Sequence, residues 1–295
     1  MRVTNNLVFN SMINDISRTN EDILKTQETL ASGKKVNKPS DDPVAMTSII
    51  SYQKLLARVE QYSRNVQSAQ AYLTNADSAL SSAETAVSRL SELATSQSSG
   101  TATAATRLSA ASEVEGLYDE LISLANTSVG GRYIFSGYKF TTEPFAPGGA
   151  YSGDNNETAL FIGESNQYTY GITGNKVFKG VGISGGVDVF NIVQGFKTAL
   201  ETNDVTGIQN AIDTLDDANT QIVNMNVQIG ARGNTLTSQK NWLDSFTTEL
   251  NILVSNIEDA DITKVATELV LEQTTLQALL AITARIDDLN IFKFI

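Results

Sequence analysis

A chain of 295 residues with 41% hydrophobic content is long enough for one to three cored domains, and it carries no run of about 18 apolar residues that would span a membrane. It contains no cysteine and no histidine, which removes disulfides, thiolate nucleophiles, sulfur ligands and the commonest general base and metal ligand. A net charge of -12 and a pI near 4.5 weigh against binding nucleic acid through a general field, so no nucleic-acid partner and no cofactor are expected.

The start, Met1 to Asn6, has neither the basic and apolar stretches nor the cleavage site of a secretory signal, so export is expected to use another route. A helical rhythm then runs through Phe9, Ile13, Ile16, Asn20, Ile23, Gln27 and Leu30, with two polar positions of the kind that fix register. Gly33 ends it, and a basic loop (Lys34, Lys35, Lys38), read as solvated, leads to Pro39, Ser40, Asp41, Asp42 and Pro43. Asp42 suits an N-cap and Pro43 the first helical position.

The next helix carries a seam at Tyr52, Leu55, Val59, Tyr62, Val66, Ala69, Leu73, Ala76, Leu80, Ala83, Val87, Leu90 and Ala94. It reaches to about Gln97, a rod of about 80 Å at 1.5 Å per residue unless interrupted. A shorter helix with Ala110, Val114, Leu117, Leu121 and Leu124 inward is expected to fold back on it and close at Gly130 and Gly131.

Between 130 and 190 lie 13 of the 20 glycines and 11 of the 21 aromatic residues, and the period shortens. Strand-like runs at Arg132–Phe135, Leu160–Ile162, Tyr168–Ile172 and Lys176–Phe178 indicate a small β-rich insertion. Asp154 to Glu157 lacks the spacing of a calcium loop and reads as a polar turn, and nothing marks Asp154 and Glu164 as a catalytic pair. The glycine pairs match no phosphate-binding pattern.

After a helix near 188–200 comes the longest seam: Ile208, Ala211, Leu215, Ala218, Ile222, Met225, Ile229, Arg232, Leu236, Gln239, Leu243, Phe246, Leu250, Leu253 and Ile257. Gly230 and Gly233 allow a kink there, and Trp242 is expected beside the core. A last helix with Ile262, Ala266, Leu269, Gln273, Leu276 and Leu280 leads to an apolar tail that includes Phe292. The first 38 residues hold six basic and four acidic groups, and residues 258–295 three and seven, signs that favour pairing of the two ends.

The expected fold is therefore mainly α with a small β-rich insertion. The N- and C-terminal helices pair in a coiled coil, a long-helix rod-like bundle forms the middle, and the β domain stands at the tip. The expected division is 1–40 with 258–295 as a terminal helical domain, 41–129 with 188–257 as the bundle, and 130–187 as the outer domain.

The segments Arg2 to Asn6 and Leu30 to Pro43 resemble the N-terminal signature of the flagellin-like axial protein superfamily. Within it, Pro39, Ser40, Asp41, Asp42 and Pro43, the stretch Gly131 to Lys139 with Arg132, Tyr133, Phe135, Gly137 and Tyr138, and Thr142 to Phe145 are similar to the hook-associated protein 3 family of the hook-filament junction. Thr173 to Phe178 and Leu289 to Phe292 resemble it too, while Ile257 to Asp261 looks equally like flagellin.

The resemblance implies a structural adaptor of the bacterial flagellum, not an enzyme, that joins hook-associated protein 1 to the flagellin filament by self-assembly in a ring or helical layer. It also implies type III export without cleavage, a flagellar export chaperone at the C-terminal helix, and an extracellular location without membrane insertion. Phe9, Ile13, Ile16, Ile23, Leu30, Ile262, Leu269, Leu276, Leu280 and Phe292 would then carry assembly. Flagellin itself, a coiled-coil subunit of another secretion needle, and an extracellular enzyme with a site in 130–190 remain the other readings.

Overall fold

The computed structural model describes residues 2–288, with side chains from Leu7 to Arg285. In chain order the elements are α1 (Arg2–Ser32), α2 (Pro43–Gln97), α3 (Ala104–Ala125), β1 (Ser128–Val129), β2 (Arg132–Tyr133), β3 (Ala159–Phe161), β4 (Gln167–Thr169), α4 (Gly174–Lys179), α5 (Val189–Glu201), α6 (Val205–Glu258) and α7 (Ile262–Asp288). The chain gathers into two compact units, one ending at Arg58 and resuming at Phe246, the other Val59–Ser245. No helix among the described residues is long and apolar enough to cross a membrane.

The unit Val59–Ser245 is built on the two long seams. Val66, Ala69, Ala76, Leu80, Ala83, Val87, Leu90 and Ala94 of α2 are buried, as are Ile208, Leu215, Ala218, Ile222, Leu236 and Leu243 of α6. Each fully buried Val, Leu or Ile contributes about 1.5–3 kcal/mol, so burial of these stripes outweighs any single polar contact between the helices. Two such contacts fix their relative register: Gln70 Nε2 donates to Thr237 Oγ1 at 3.2 Å and Asn226 Nδ2 to Ser81 Oγ at 3.1 Å. α6 passes through Gly230 and Gly233 as one helix, and Trp242 is 55% exposed.

α3 begins with a capping box in which Thr103 Oγ1 accepts from Thr106 N and Thr106 Oγ1 accepts from Thr103 N. It packs with α5, whose N-cap Asp188 accepts from Asn191 N. A buried arginine fastens the helix ends at this side. Arg107 donates to Gln97 O at 3.1 Å, Ser99 O at 3.3 Å and Asn203 Oδ1 at 2.5 Å. Its charge faces the carbonyl end of α2, where a cation is stabilised, and Asn203 holds a left-handed φ of 54° in the turn between α5 and α6.

The insertion between α3 and α5 is more loop than sheet. β1 pairs antiparallel with β2 over two residue pairs and β3 with β4 over three, so the strands expected at 132–135 and 168–172 are shorter than their apolar runs. The strand expected at Lys176–Phe178 is instead the helix α4: Lys176 N and Val177 N donate back to Thr173 O, and Gly180 closes the turn at φ 67°. That left-handed φ, and the backbone of Gly186 2.4 Å from where a Cβ would stand, require glycine at 180.

Aromatic packing replaces sheet as the core. Phe145 lies 5.6 Å from Phe178 and 5.0 Å from Phe190, and Phe135 lies 5.6 Å from Phe178, all four rings buried. Three side chains of α6 clasp this insertion, one of them Gln239, whose Nε2 donates to Ile162 O at 3.0 Å. Gln221 Nε2 donates to Val177 O and Val187 O while its Oε1 accepts from Val187 N, which satisfies a buried amide completely. Arg232 pairs with Glu157 at 3.0 Å and donates to Gly171 O, and Lys176 reaches the same carboxylate at 3.0 Å.

Burial raises the Glu157 carboxyl, but the hydrogen bond of Lys176 and the charges of Arg232 and Lys176 outweigh it, leaving the group below its ordinary range. A depressed carboxylate contributes stability that is present above the ordinary glutamate value and lost as pH falls through the lowered one. Acid titration of the folded chain is therefore expected to lose stability below the usual glutamate range, with Glu157→Gln removing that part of the dependence; an unchanged acid limb in the variant would contradict the clamp. Arg107→Ala takes the shared donor from the carbonyls of Gln97 and Ser99 and the amide oxygen of Asn203, which water then reaches in part, and is expected to cost about 2 kcal/mol in urea unfolding. Arg107→Lys is expected to recover only part of it.

Candidate assembly surface

The unit that ends at Arg58 and resumes at Phe246 is organised by α1 and α7, which run antiparallel. Thr26 Oγ1 donates to Glu272 Oε1 at 3.1 Å, and Thr283 Oγ1 lies 3.9 Å from Met12 Sδ. The shielded positions are Met12, Ile16, Thr19, Ile23, Thr26 and Leu30 on α1, and Val265, Leu269, Glu272, Leu276, Leu279 and Thr283 on α7. The expected rhythm is thus off by one at most of the alternate positions: Met12, Thr19 and Thr26 are covered where Ile13, Asn20 and Gln27 were expected, and Glu272 and Leu279 in place of Gln273 and Leu280, while Val265 is buried beside the expected, half-buried Ala266. The physical reason is that both helices are apolar on more than one face, so periodicity alone selects the most apolar track and not the one a partner covers.

Of the residues expected to carry assembly, Ile23 is buried and Ile16, Leu30, Leu269 and Leu276 are half-buried along this pair. Phe9, Ile13, Ile262 and Leu280 remain exposed, and Phe292 lies outside the described residues. Leu24, Val270 and Leu271 are 65%, 62% and 66% exposed. Thr263, Ala266, Thr267 and Thr274 surround Val270 and Leu271 in a shallow groove along α7. Large apolar side chains gathered this way mark an interaction surface.

The two loops that link these helices to α2 and α6 are joined to each other. Lys35 N donates to Glu258 O at 2.7 Å and Ala260 N to Gly33 O at 2.9 Å, a short antiparallel bridge. Lys34 pairs with Glu258 at 2.7 Å, and Lys35 Nζ donates to Asn256 O at 2.8 Å, near the carbonyl end of α6. The basic loop read as solvated is therefore a fastening between the two ends of the chain.

In the signature that follows, Asp41 Oδ2 accepts from Lys38 N and Asn37 N, and these bonds hold its carboxyl below the usual range. The hydrogen bond and charge of Glu28 raise Lys38. Asp42 Oδ1 accepts from Val44 N and Ala45 N ahead of Pro43, the first residue of α2, with Pro39 and Ser40 in the preceding turn. Asp261 caps α7 in the same manner, accepting from Thr263 N and Lys264 N.

The second signature folds the insertion. Arg132 and Tyr133 form β2, the Phe135 ring enters the aromatic core, and Phe135 O accepts from Tyr151 Oη and Gly174 N. Gly137 has φ 69° and stands where a Cβ would be 2.2 Å from Asp154 Oδ1. That same oxygen accepts from Tyr138 N and Asn156 N, so Asp154 is occupied as a turn former. Tyr138 is exposed. Asn126, the C-cap of α3, holds the Glu143 to Phe145 segment by donating to Phe145 O and accepting from Phe145 N.

Sequence reading passed over Asn126, Gln221 and Arg107 as fastenings. The only local signal was a polar residue beside an apolar seam position. Burial pushes the Tyr72 phenol up to about 12 and the Tyr151 phenol up as well, so both stay protonated as hydrogen-bond donors. Among the described residues no group of three or more acids gathers as a metal site.

Two family models match. The bacterial flagellin N-terminal helical region covers residues 3–140, and the bacterial flagellin C-terminal helical region covers residues 212–295. The flagellar hook-associated protein 3 of Escherichia coli is 27% identical across 99% of each chain, and that of Salmonella typhimurium 27% identical across 94% of each. A solved structure of flagellar hook-associated protein 3 from Legionella pneumophila shares the fold at a TM-score of 0.63 and 16% identity, covering 71% of this chain and 98% of its own.

If α7 offers its outer face to a partner, Leu271→Asp is expected to leave urea unfolding within about 0.5 kcal/mol, as an exposed position should. The same change is expected to lower the fraction of the chain recovered in sheared flagella several-fold. Undiminished recovery would remove this face from the assembly surface.

Proposed function

The chain belongs to the bacterial flagellin family of axial proteins, and from that premise we propose that it is a hook-associated protein 3-type adaptor at the hook-filament junction. The observation that carries this reading is the degree of the likeness over nearly the whole chain: the hook-associated relatives are 27% identical, whereas the flagellin of Bacillus subtilis, which spans 97% of this chain, is 24% identical.

In this reading the adaptor is structural and not an enzyme. It joins hook-associated protein 1 to the first flagellin subunits as a ring or short helical layer. The terminal helical domain, 1–40 with 258–295, faces the axis; the bundle, 41–129 with 188–257, surrounds it; and 130–187 faces outward. Phe9, Ile13, Ile262 and Leu280, with Leu24, Val270 and Leu271, lose their water only when neighbouring subunits cover them, at about 1.5–3 kcal/mol for each fully buried side chain. The lattice thereby supplies burial that one chain does not provide for itself.

The chain travels through the flagellar type III export apparatus unfolded, with an export chaperone shielding the C-terminal helix, and resides in the extracellular flagellum. The absence of cysteine suits a chain that is exported unfolded and folds afterwards without disulfide chemistry. Flagellin is the second reading, favoured by the flagellin models at both ends.

Deletion of the gene, scored by electron microscopy of cells together with the protein content of the medium, decides between them. Hooks without filaments and flagellin shed into the medium are expected for the adaptor. Loss of the filament's major protein would identify flagellin, and unchanged filaments would overturn both.

A further inference from the structure

A small cavity of about 180 Å³ opens between α2 and the insertion, away from the phenylalanine core and separate from the terminal helices. Its walls include Tyr72, Tyr133, Phe140 and Tyr170, with Thr158 and Arg132. The junction reading gives these residues no task. At this size the cavity is below the roughly 300–1,000 Å³ of sites for drug-sized ligands, and it suits one ring.

The walls are held in place before any ligand arrives. Tyr72 Oη donates to Ile134 O at 2.6 Å, and its ring meets Tyr170 edge-on at 5.0 Å. The guanidinium of Arg132 stacks over the Phe140 ring at 4.0 Å. Among the described residues no carboxylate stands within ion-pairing distance of Arg132, although acids outnumber bases in this chain by 33 to 21. A stacked guanidinium keeps its in-plane donors free for a planar two-oxygen acceptor, and it loses little rotamer freedom in binding one.

The geometry points to a ligand site here that takes a six-membered ring bearing a carboxylate. The ring lies against the tyrosine and phenylalanine faces, and the carboxylate meets the fork of Arg132. Two sources carry this chemistry, an acidic sugar and an aromatic acid. The aromatic walls accept either the C–H face of a pyranose or a flat π-system.

The test is ligand-observed NMR titration of the full chain with glucuronate, benzoate, glucose and phenol. At least one of the two carboxylates is expected to bind, its neutral counterpart about tenfold more weakly or not at all, and Arg132→Gln to weaken the carboxylate about tenfold. Glucuronate alone would assign the sugar source, and benzoate alone or with it the aromatic one. Arg132 is exposed, so the variant is expected to fold, which its thermal unfolding checks. Phe140→Leu, which removes the stack and keeps the charge, is expected to weaken binding less. No binding by either carboxylate, equal binding of glucose or phenol, or full affinity in Arg132→Gln would each overturn the site.

Discussion

The apolar seams of α2 and α6 are too long for either helix to shield alone, and that constraint organises the unit Val59–Ser245. An isolated amphipathic helix leaves its stripe in water. Here Val66 through Ala94 and Ile208 through Leu243 are removed from it almost completely. Because the two helices are separated in sequence by more than a hundred residues, the chain must leave along one and return along the other. Everything between 98 and 204 is therefore an excursion whose two ends are already held, and a stretch too poor in sheet to stand alone can be ordered there.

Polar side chains then do what apolar burial cannot, which is to choose one arrangement among many compact ones. Gln221 presents an amide to a loop that offers one donor and two acceptors at the right places. Arg107 collects the loose carbonyl end of α2 and the turn before α6. Arg232 supplies the positive charge that Glu157 needs inside a partly covered site. Buried groups of this kind tolerate little displacement, since a misplaced partner leaves the full desolvation cost unmet.

The unit formed by the two ends of the chain shows the opposite balance. The loops at its base are fastened by backbone bridges between Gly33 to Lys35 and Glu258 to Ala260, yet the helices they support keep large side chains in water on more than one face. A surface that is locally ordered and apolar is of the kind that meets a partner.

Helix periods are local, and the sequence by itself determined the existence of α1, α2, α6 and α7, the extent of α2, and most of the inward tracks of the two long helices, Leu253 being an exposed exception. Asp42 and Pro43 marked the start of α2 because a cap and its first turn are neighbours in the chain. Only the tertiary structure decided which track of α1 meets α7, since Met12 and Ile13, or Leu279 and Leu280, are equally apolar and only the partner breaks the tie. It also turned Lys176 to Phe178 into a helix, because the aromatic cluster and Gly180 outweigh the β preference of a short run. Arg107 with Asn203, Gln221 with Val187, and Arg232 with Glu157 were invisible for the same reason: each partner lies 34 or more residues away, and hydrogen-bond geometry across that distance exists only once the fold is closed.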